Sequence, residues 1–214
     1  MPDPEEISEE GFGGFRDTWY IGHVAKADLE AILHEEAELM RIVDAVAATL
    51  DEFEELASAI EGCDVESLSD QLHEAATKEG LAAFFDEEIA PLDGLELGVV
   101  GLAYALGSVG CRTAASCRSH IGDRSWSDVP VVFFAAPQWR LELLADLIAA
   151  AGCGLVAGRG MLEIVAPSIR NMHALAETIA AQRKRFRRKP DHWRAPSERR
   201  DNLDDQLELP LDPM

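Results

Sequence analysis

Between Leu29 and Ile60 apolar residues recur at alternating steps of three and four: Leu29, Ile32, Leu39, Val43, Val46, Leu50, Phe53, Ala57 and Ile60, with Glu36 as the one interruption. That is the period of a heptad seam, one stripe of a helix whose other faces are strongly acidic. A stripe this long has to be covered, either by another helix of the same chain or by a second copy in a homo-oligomer. Unbroken to Glu61, the helix would be about 50 Å long at 1.5 Å per residue. Gly62 reads as its stop and Asp64 as the N-cap of a second helix carrying Val65, Leu68 and Leu72 on one face. The expectation for residues 18–90 is an acidic helical hairpin.

Charge divides the rest of the chain. Residues 1–96 hold 27 acidic side chains against 4 basic ones, whereas residues 97–182 hold 6 of each. Residues 183–200 carry 9 basic and 2 acidic side chains, and residues 201–214 carry 5 acids and no base. These shifts mark regions: a flexible acidic, glycine-bearing segment at 1–17, the helical region at 18–90, a third unit at 91–182, a basic helix end and linker at 183–200, and a flexible tail at 201–214.

The third unit reads as a small α/β (α+β) domain. Residues 92–109 are apolar nearly all round, as a buried helix is, and Gly94, Gly98 and Gly101 would admit another backbone closely. Arg112 to Cys117 and the run from Val129 to Ala136 suit strands, with Pro130 at a strand's start. Pro137 opens a helix whose buried face is Leu141, Leu144, Leu147 and Ile148, and Gly152 ends it. Leu155 to Ala157 and Met161 to Val165 flank Gly158-Arg159-Gly160 as a hairpin. Ser168 caps a last helix with Ile169, Met172, Leu175 and Ile179 inward. The order is αββαββα, a small sheet layered with helices.

With 47% apolar and 28% charged residues the chain has the balance of a soluble globular protein. Its longest uncharged apolar run, Leu97 to Cys111, falls short of the roughly 20 residues of a membrane span. No signal peptide is legible at the N-terminus, so a cytoplasmic location without membrane partners is expected. Four irregularly spaced cysteines, Cys63, Cys111, Cys117 and Cys153, fit reduced thiols better than a disulfide framework.

One polar cluster could carry chemistry: Gly110-Cys-Arg-Thr113-Ala-Ala-Ser116-Cys117-Arg118-Ser-His120. A thiol, an imidazole and guanidinium groups at a strand's end can form a nucleophilic or anion-binding site. Cys117 and His120 would be the catalytic pair, with Thr113, Ser116 and Arg118 lining the pocket. The plainer alternative makes Cys117 a buried small residue and His120 a loop residue with a backbone partner.

The run resembles the G-x-x-T-x-x-S-C-x-G-H module of small bacterial proteins, and distantly the Ser-Cys stretch of the tRNA wybutosine-synthesising methyltransferases. The likeness covers about a tenth of the chain and implies a pocket at Ser116, Cys117, Arg118 and His120. Ser119 stands where the module has glycine.

Cys111, Cys117 and His120 are also a zinc-type set, but across an extended stretch the two sulfurs would lie roughly 20 Å apart, far beyond a shared ion. Neither His34 with Glu38 nor Cys63 with His73 completes a set. The expectation is no metal and no cofactor.

Arg183, Lys184, Arg185, Arg187, Arg188 and Lys189, with Trp193 and Arg194 beyond, have the charge and aromatic content for DNA contact. The same charge at a helix C-terminus complements the macrodipole, or could fold back on the acidic hairpin.

In the tail, Gln206-Leu207-Glu-Leu209-Pro210-Leu211 resembles the Q-L-x-L-x-L hexapeptide by which bacterial polymerases and replication regulators bind the DNA sliding clamp. The resemblance implies Gln206 in a small polar pocket, Leu209 and Leu211 in an apolar cleft, and the clamp as partner. An accessory protein docked on the clamp is the expected function. The alternatives are an enzyme acting on nucleic acid through residues 116–120, and an acidic mimic that sequesters a basic protein.

Overall fold

The apolar stripe breaks once, and the break is written locally. A computed structural model describes residues 24–85, 91–120, 127–158 and 161–187. In it α1 (Lys26–Val46) and α2 (Leu50–Glu61) are separate helices. Thr49 and Glu52 form a capping box: Thr49 Oγ1 accepts from Glu52 N at 3.2 Å, and Glu52 Oε2 accepts from the Thr49 and Ala48 backbone at 2.9 and 2.7 Å. Those bonds satisfy the amides that open α2, so a new helix starts there and the single long helix is not formed. Leu50, at the first position of α2, is 74% exposed. Leu29, Ile32, Leu39, Val43, Ala57 and Ile60 are buried, and Val46 and Phe53 pack half-buried against the core.

The second helix also differs from expectation. Asp64 precedes a 3-10 turn, Val65–Ser67, and α3 (Asp70–Lys78) begins six residues later. Leu68 and Leu72 are buried, so the apolar face is kept while the helix is shortened. α1 is covered within the chain by α2, α3, α4 and α6.

The expected helix at 92–109 is reduced to α4 (Val100–Ser108). Before it stands a turn, Pro91–Gly94, in which Leu92 and Asp93 take left-handed φ values of 59° and 51°, which a helix cannot include. At two of the three glycines the close neighbour is a side chain and not a second backbone. A Cβ at Gly98 would lie 2.3 Å from Cβ of Ile169, and one at Gly101 would lie 2.2 Å from Glu36 Oε2.

The remaining elements follow the expected order. They are β1 (Arg112–Cys117), β2 (Val131–Ala135), α5 (Gln138–Ala150), β3 (Gly154–Gly158), β4 (Met161–Val165) and α6 (Ile169–Gln182). The protein is mixed α and β, with a four-stranded antiparallel sheet in the order β1-β2-β4-β3. β3 and β4 form the hairpin, Gly158 opposite Met161. β2 and β3 therefore run the same way with β4 between them, and α5 is the crossover. Alternation along β2 sends Val132 and Phe134 into the helix-covered core, with Leu162 and Ile164 of β4. Ala135 joins Ala114 and Met161 in a smaller cluster, with Phe133 against it. Ser168 caps α6, accepting from Asn171 N. Among the described residues no helix is long and apolar enough to cross a membrane.

Candidate functional site

The end of β1 runs into the acidic helices, and the contact is built around one arginine. Arg118, immediately after the strand, has a fully buried side chain. Its guanidinium donates from Nη1 and Nη2 to the two oxygens of Glu54 at 2.7 and 2.9 Å, and from Nε to Glu61 Oε1 at 2.6 Å. Ser58 Oγ lies 3.5 Å from Nη2, and the group sits 5.6 Å from the ring centre of Phe53. Glu54, Ser58 and Glu61 are spaced by four and three residues, so they share one face of α2. The planar fork of arginine matches the two-oxygen carboxylate, a geometry lysine cannot reproduce.

Two backbone contacts tie this hub to the chain before α4. Arg118 N donates to Glu96 Oε2 at 2.6 Å, and Leu97 N donates to Glu61 Oε1 at 2.9 Å. Ser119, the residue replacing the module's glycine, has a φ of 72°, the left-handed region that favours glycine. The turn it makes returns His120 to the cluster, with Nδ1 2.9 Å from Glu54 Oε1 and Nε2 3.1 Å from Glu96 Oε1. Both ring nitrogens can donate to carboxylates together only as the imidazolium. Cys117, fully buried, accepts a hydrogen bond at Sγ from Ser119 N at 3.4 Å. The ligand atoms of Glu96, Cys117 and His120 all lie within 4.8 Å of one another.

The electrostatics follow from that packing. Burial works to raise the Glu54 pKa, but the hydrogen bonds and charges of Arg118 and His120 outweigh it and hold the carboxyl down at about 2. Glu61 is displaced upward, because its burial exceeds the help it receives from Arg118. Burial alone would lower His120, yet the hydrogen bonds to Glu54 and Glu96 raise it above the usual imidazole range. Cys111, at the far end of β1, is pushed up to about 12 by burial.

A second polar site lies where α4, α5 and the end of α6 meet. A cavity of about 370 Å³ is lined by Ser108, Val109, Gly110, Arg140, Arg183, Phe186 and Arg187, with no carboxylate among them. Arg140 Nη1 donates to the Gly110 carbonyl at 2.8 Å. Buried Arg140 Nε and Arg183 Nη1 have no hydrogen-bond partner among the described residues. Three guanidinium groups, those of Arg140, Arg183 and Arg187, therefore line one cavity with no carboxylate among the described lining residues, in a chain of net charge -21.

Sequence-expected residues distribute as follows. Cys117, Arg118 and His120 are brought together, while Thr113 and Ser116 sit further back in β1 opposite Phe134 and Val132. Arg183, Lys184 and Arg185 belong to a 3-10 turn, Arg183–Phe186, anchored by buried Phe186, and Arg187 follows it. Arg188, Lys189 and the whole hexapeptide, Gln206, Leu207, Leu209, Pro210 and Leu211, lie outside the described residues. No disulfide joins the four cysteines; Cys63, His34 and His73 are exposed. Sequence reasoning missed Glu54, Glu61 and Glu96. The four- and three-residue spacing of Glu54, Ser58 and Glu61 was visible, but among so many acids it singles out nothing. Comparison with protein family models, curated proteins and solved structures finds no match for this chain.

Proposed function

We propose that the protein is a cytoplasmic accessory factor that docks on the bacterial DNA sliding clamp through Gln206, Leu207, Leu209, Pro210 and Leu211. The observation that carries the reading is the hexapeptide itself, three leucines and a glutamine at the motif's spacing within an otherwise acidic, proline-punctuated segment. Burying Leu209 and Leu211 in a cleft would contribute roughly 1.5 to 3 kcal/mol each, offset in part by the conformational freedom a peptide loses on docking. A proline restricts its own φ and disfavours helix at the residue before it, so a proline at position 210 would lower that cost. A micromolar constant, about -8 kcal/mol, is the expected affinity. Calorimetry of the full chain against the clamp tests this directly. Gln206→Ala, or Leu209→Ala with Leu211→Ala, should weaken binding at least tenfold, and Glu208→Ala should leave it nearly unchanged. Equal binding with both leucines removed would overturn the reading.

A second reading, DNA contact through residues 183–200, is favoured by the arginine cavity, since phosphate oxygens would satisfy the guanidinium nitrogens that face no carboxylate. Affinity for a duplex should then fall steeply with salt, and Arg183→Ala with Arg187→Ala should flatten the slope, as each lost phosphate contact releases fewer counterions. Salt-insensitive retention, the same with and without these side chains, would leave the cavity with no role in DNA contact.

A further inference from the structure

The cluster at the end of β1 combines three donor types on three separate segments: a carboxylate before α4, a thiol on the strand's last residue and an imidazole beyond the turn. We propose that Glu96, Cys117 and His120 form a binding site for a thiophilic divalent cation of the zinc class, with Glu54 holding the second nitrogen of His120. This inference is independent of clamp docking.

Geometry is the first support. Bonds of about 2.0 to 2.3 Å in a tetrahedron put ligand atoms roughly 3.4 to 3.8 Å apart. The three atoms here already lie within 4.8 Å of one another, so side-chain adjustments of about an ångström would close the site. The Cys111 thiol considered from sequence stands at the opposite end of a six-residue strand, and Glu96 takes the third place.

The surroundings are those a metal ligand requires. His120 Nε2 faces Glu96 at 3.1 Å while Nδ1 faces Glu54 at 2.9 Å. With Nε2 as ligand, Nδ1–H donates to Glu54, the carboxylate–histidine arrangement that fixes the ring and its tautomer at metal centres. Cys117 Sγ accepts from the Ser119 amide, a bond that strengthens as the sulfur becomes thiolate. The left-handed backbone of Ser119 is what aims that amide back at the sulfur.

Donor chemistry adds a third argument. A metal is bound by the thiolate and by a neutral ring nitrogen, so binding displaces the proton from Cys117 Sγ and any proton from the ligating nitrogen of His120. Thiolate, imidazole and carboxylate together suit zinc and disfavour calcium or magnesium, which take oxygen ligands alone. Three protein ligands leave a fourth position for water or a substrate atom.

Cobalt(II), added to the full-length reduced protein, is the test probe. The expected result is a visible ligand-field band of tetrahedral intensity with near-ultraviolet thiolate-to-cobalt charge transfer, saturating at one equivalent and displaced by zinc. Cys117→Ser should abolish the charge transfer. Glu54→Gln should weaken affinity by roughly ten- to a hundredfold while keeping the band, and Cys111→Ser and Cys63→Ser should change neither. If Cys117→Ser does not fold, zinc protection of Cys117 against alkylation in the unmodified protein, read by peptide mapping, replaces it. No charge-transfer band at saturating cobalt, a band that persists in Cys117→Ser, or alkylation of Cys117 at the same rate with and without zinc would overturn the proposal.

Discussion

Arg118 and Glu54, 64 residues apart, meet fork to fork, with two parallel N–H to oxygen bonds of 2.7 and 2.9 Å and Glu61 closing the guanidinium's third side. This contact fastens the acidic helices to the end of the sheet. Removing the buried guanidinium leaves two partly buried carboxylates, Glu54 and Glu61, without their cation. Arg118→Ala should therefore cost about 3 to 5 kcal/mol of unfolding free energy. Arg118→Lys should recover only part of it, because an ammonium cannot span both oxygens. Urea unfolding curves measure both, and a loss below about 1 kcal/mol for Arg118→Ala would show that the hub is not a fastening.

The pair of buried Glu36 and partly buried His173 predicts a pH effect of defined sign. Glu36, wholly buried on α1, accepts from Gly101 N at 3.1 Å and lies 2.5 Å from His173 Nδ1 on α6. Burial lowers the His173 pKa, but the hydrogen bond and charge of Glu36, with Glu177 behind, raise it above its ordinary value. Its stabilisation is then complete below about pH 6.5, the value in the unfolded chain, and is lost as pH rises through the higher folded value. His173→Gln should flatten the decline of melting temperature on that alkaline side. For Glu54, held at about 2, the sign is opposite: its contribution is present above the unfolded carboxylate pKa and fades as pH falls toward 2. Glu54→Gln should flatten the acid limb.

The break between α1 and α2 predicts a contrast between neighbours. Thr49→Ala removes the cap and should cost about 1 kcal/mol. Leu50→Lys, one residue on, should change stability by less than about 0.5 kcal/mol, because Leu50 is 74% exposed. A continuous seam would bury Leu50 and make the lysine severely destabilising, so thermal unfolding of the pair distinguishes the two arrangements.

Glycine positions give a steric prediction. A Cβ at Gly101 would meet Glu36 Oε2 at 2.2 Å and Leu33 Cδ2 at 2.8 Å, whereas one at Gly94 would meet nothing within 4 Å. Gly101→Ala should cost about 3 kcal/mol or more, since it forces α1 from α4 and disturbs a buried hydrogen bond. Gly94→Ala has only its left-handed φ of 73° to oppose it, worth about 1 kcal/mol. Equal losses in denaturant titration would contradict this packing.

Periodicity and local chemistry determined most of the element order. The αββαββα succession, the β3/β4 hairpin and the Ser168 cap follow from alternation, turn residues and capping preferences, each operating within a few residues. Even the break in the long helix was present locally in Thr49 and Glu52; the seam, continuing in phase on either side, concealed it. Tertiary structure alone decided which carboxylates matter. Glu36 looked like an interruption of an apolar stripe and is the acceptor shared by Gly101 and His173. Glu54, Glu61 and Glu96 are indistinguishable along the chain from their acidic neighbours, for a carboxylate on a helix has the same local preferences whether water or Arg118 faces it. What separates them is a partner supplied by segments 22 to 66 residues away, and the free energy of a buried ion pair depends on that meeting and on no property of either residue alone.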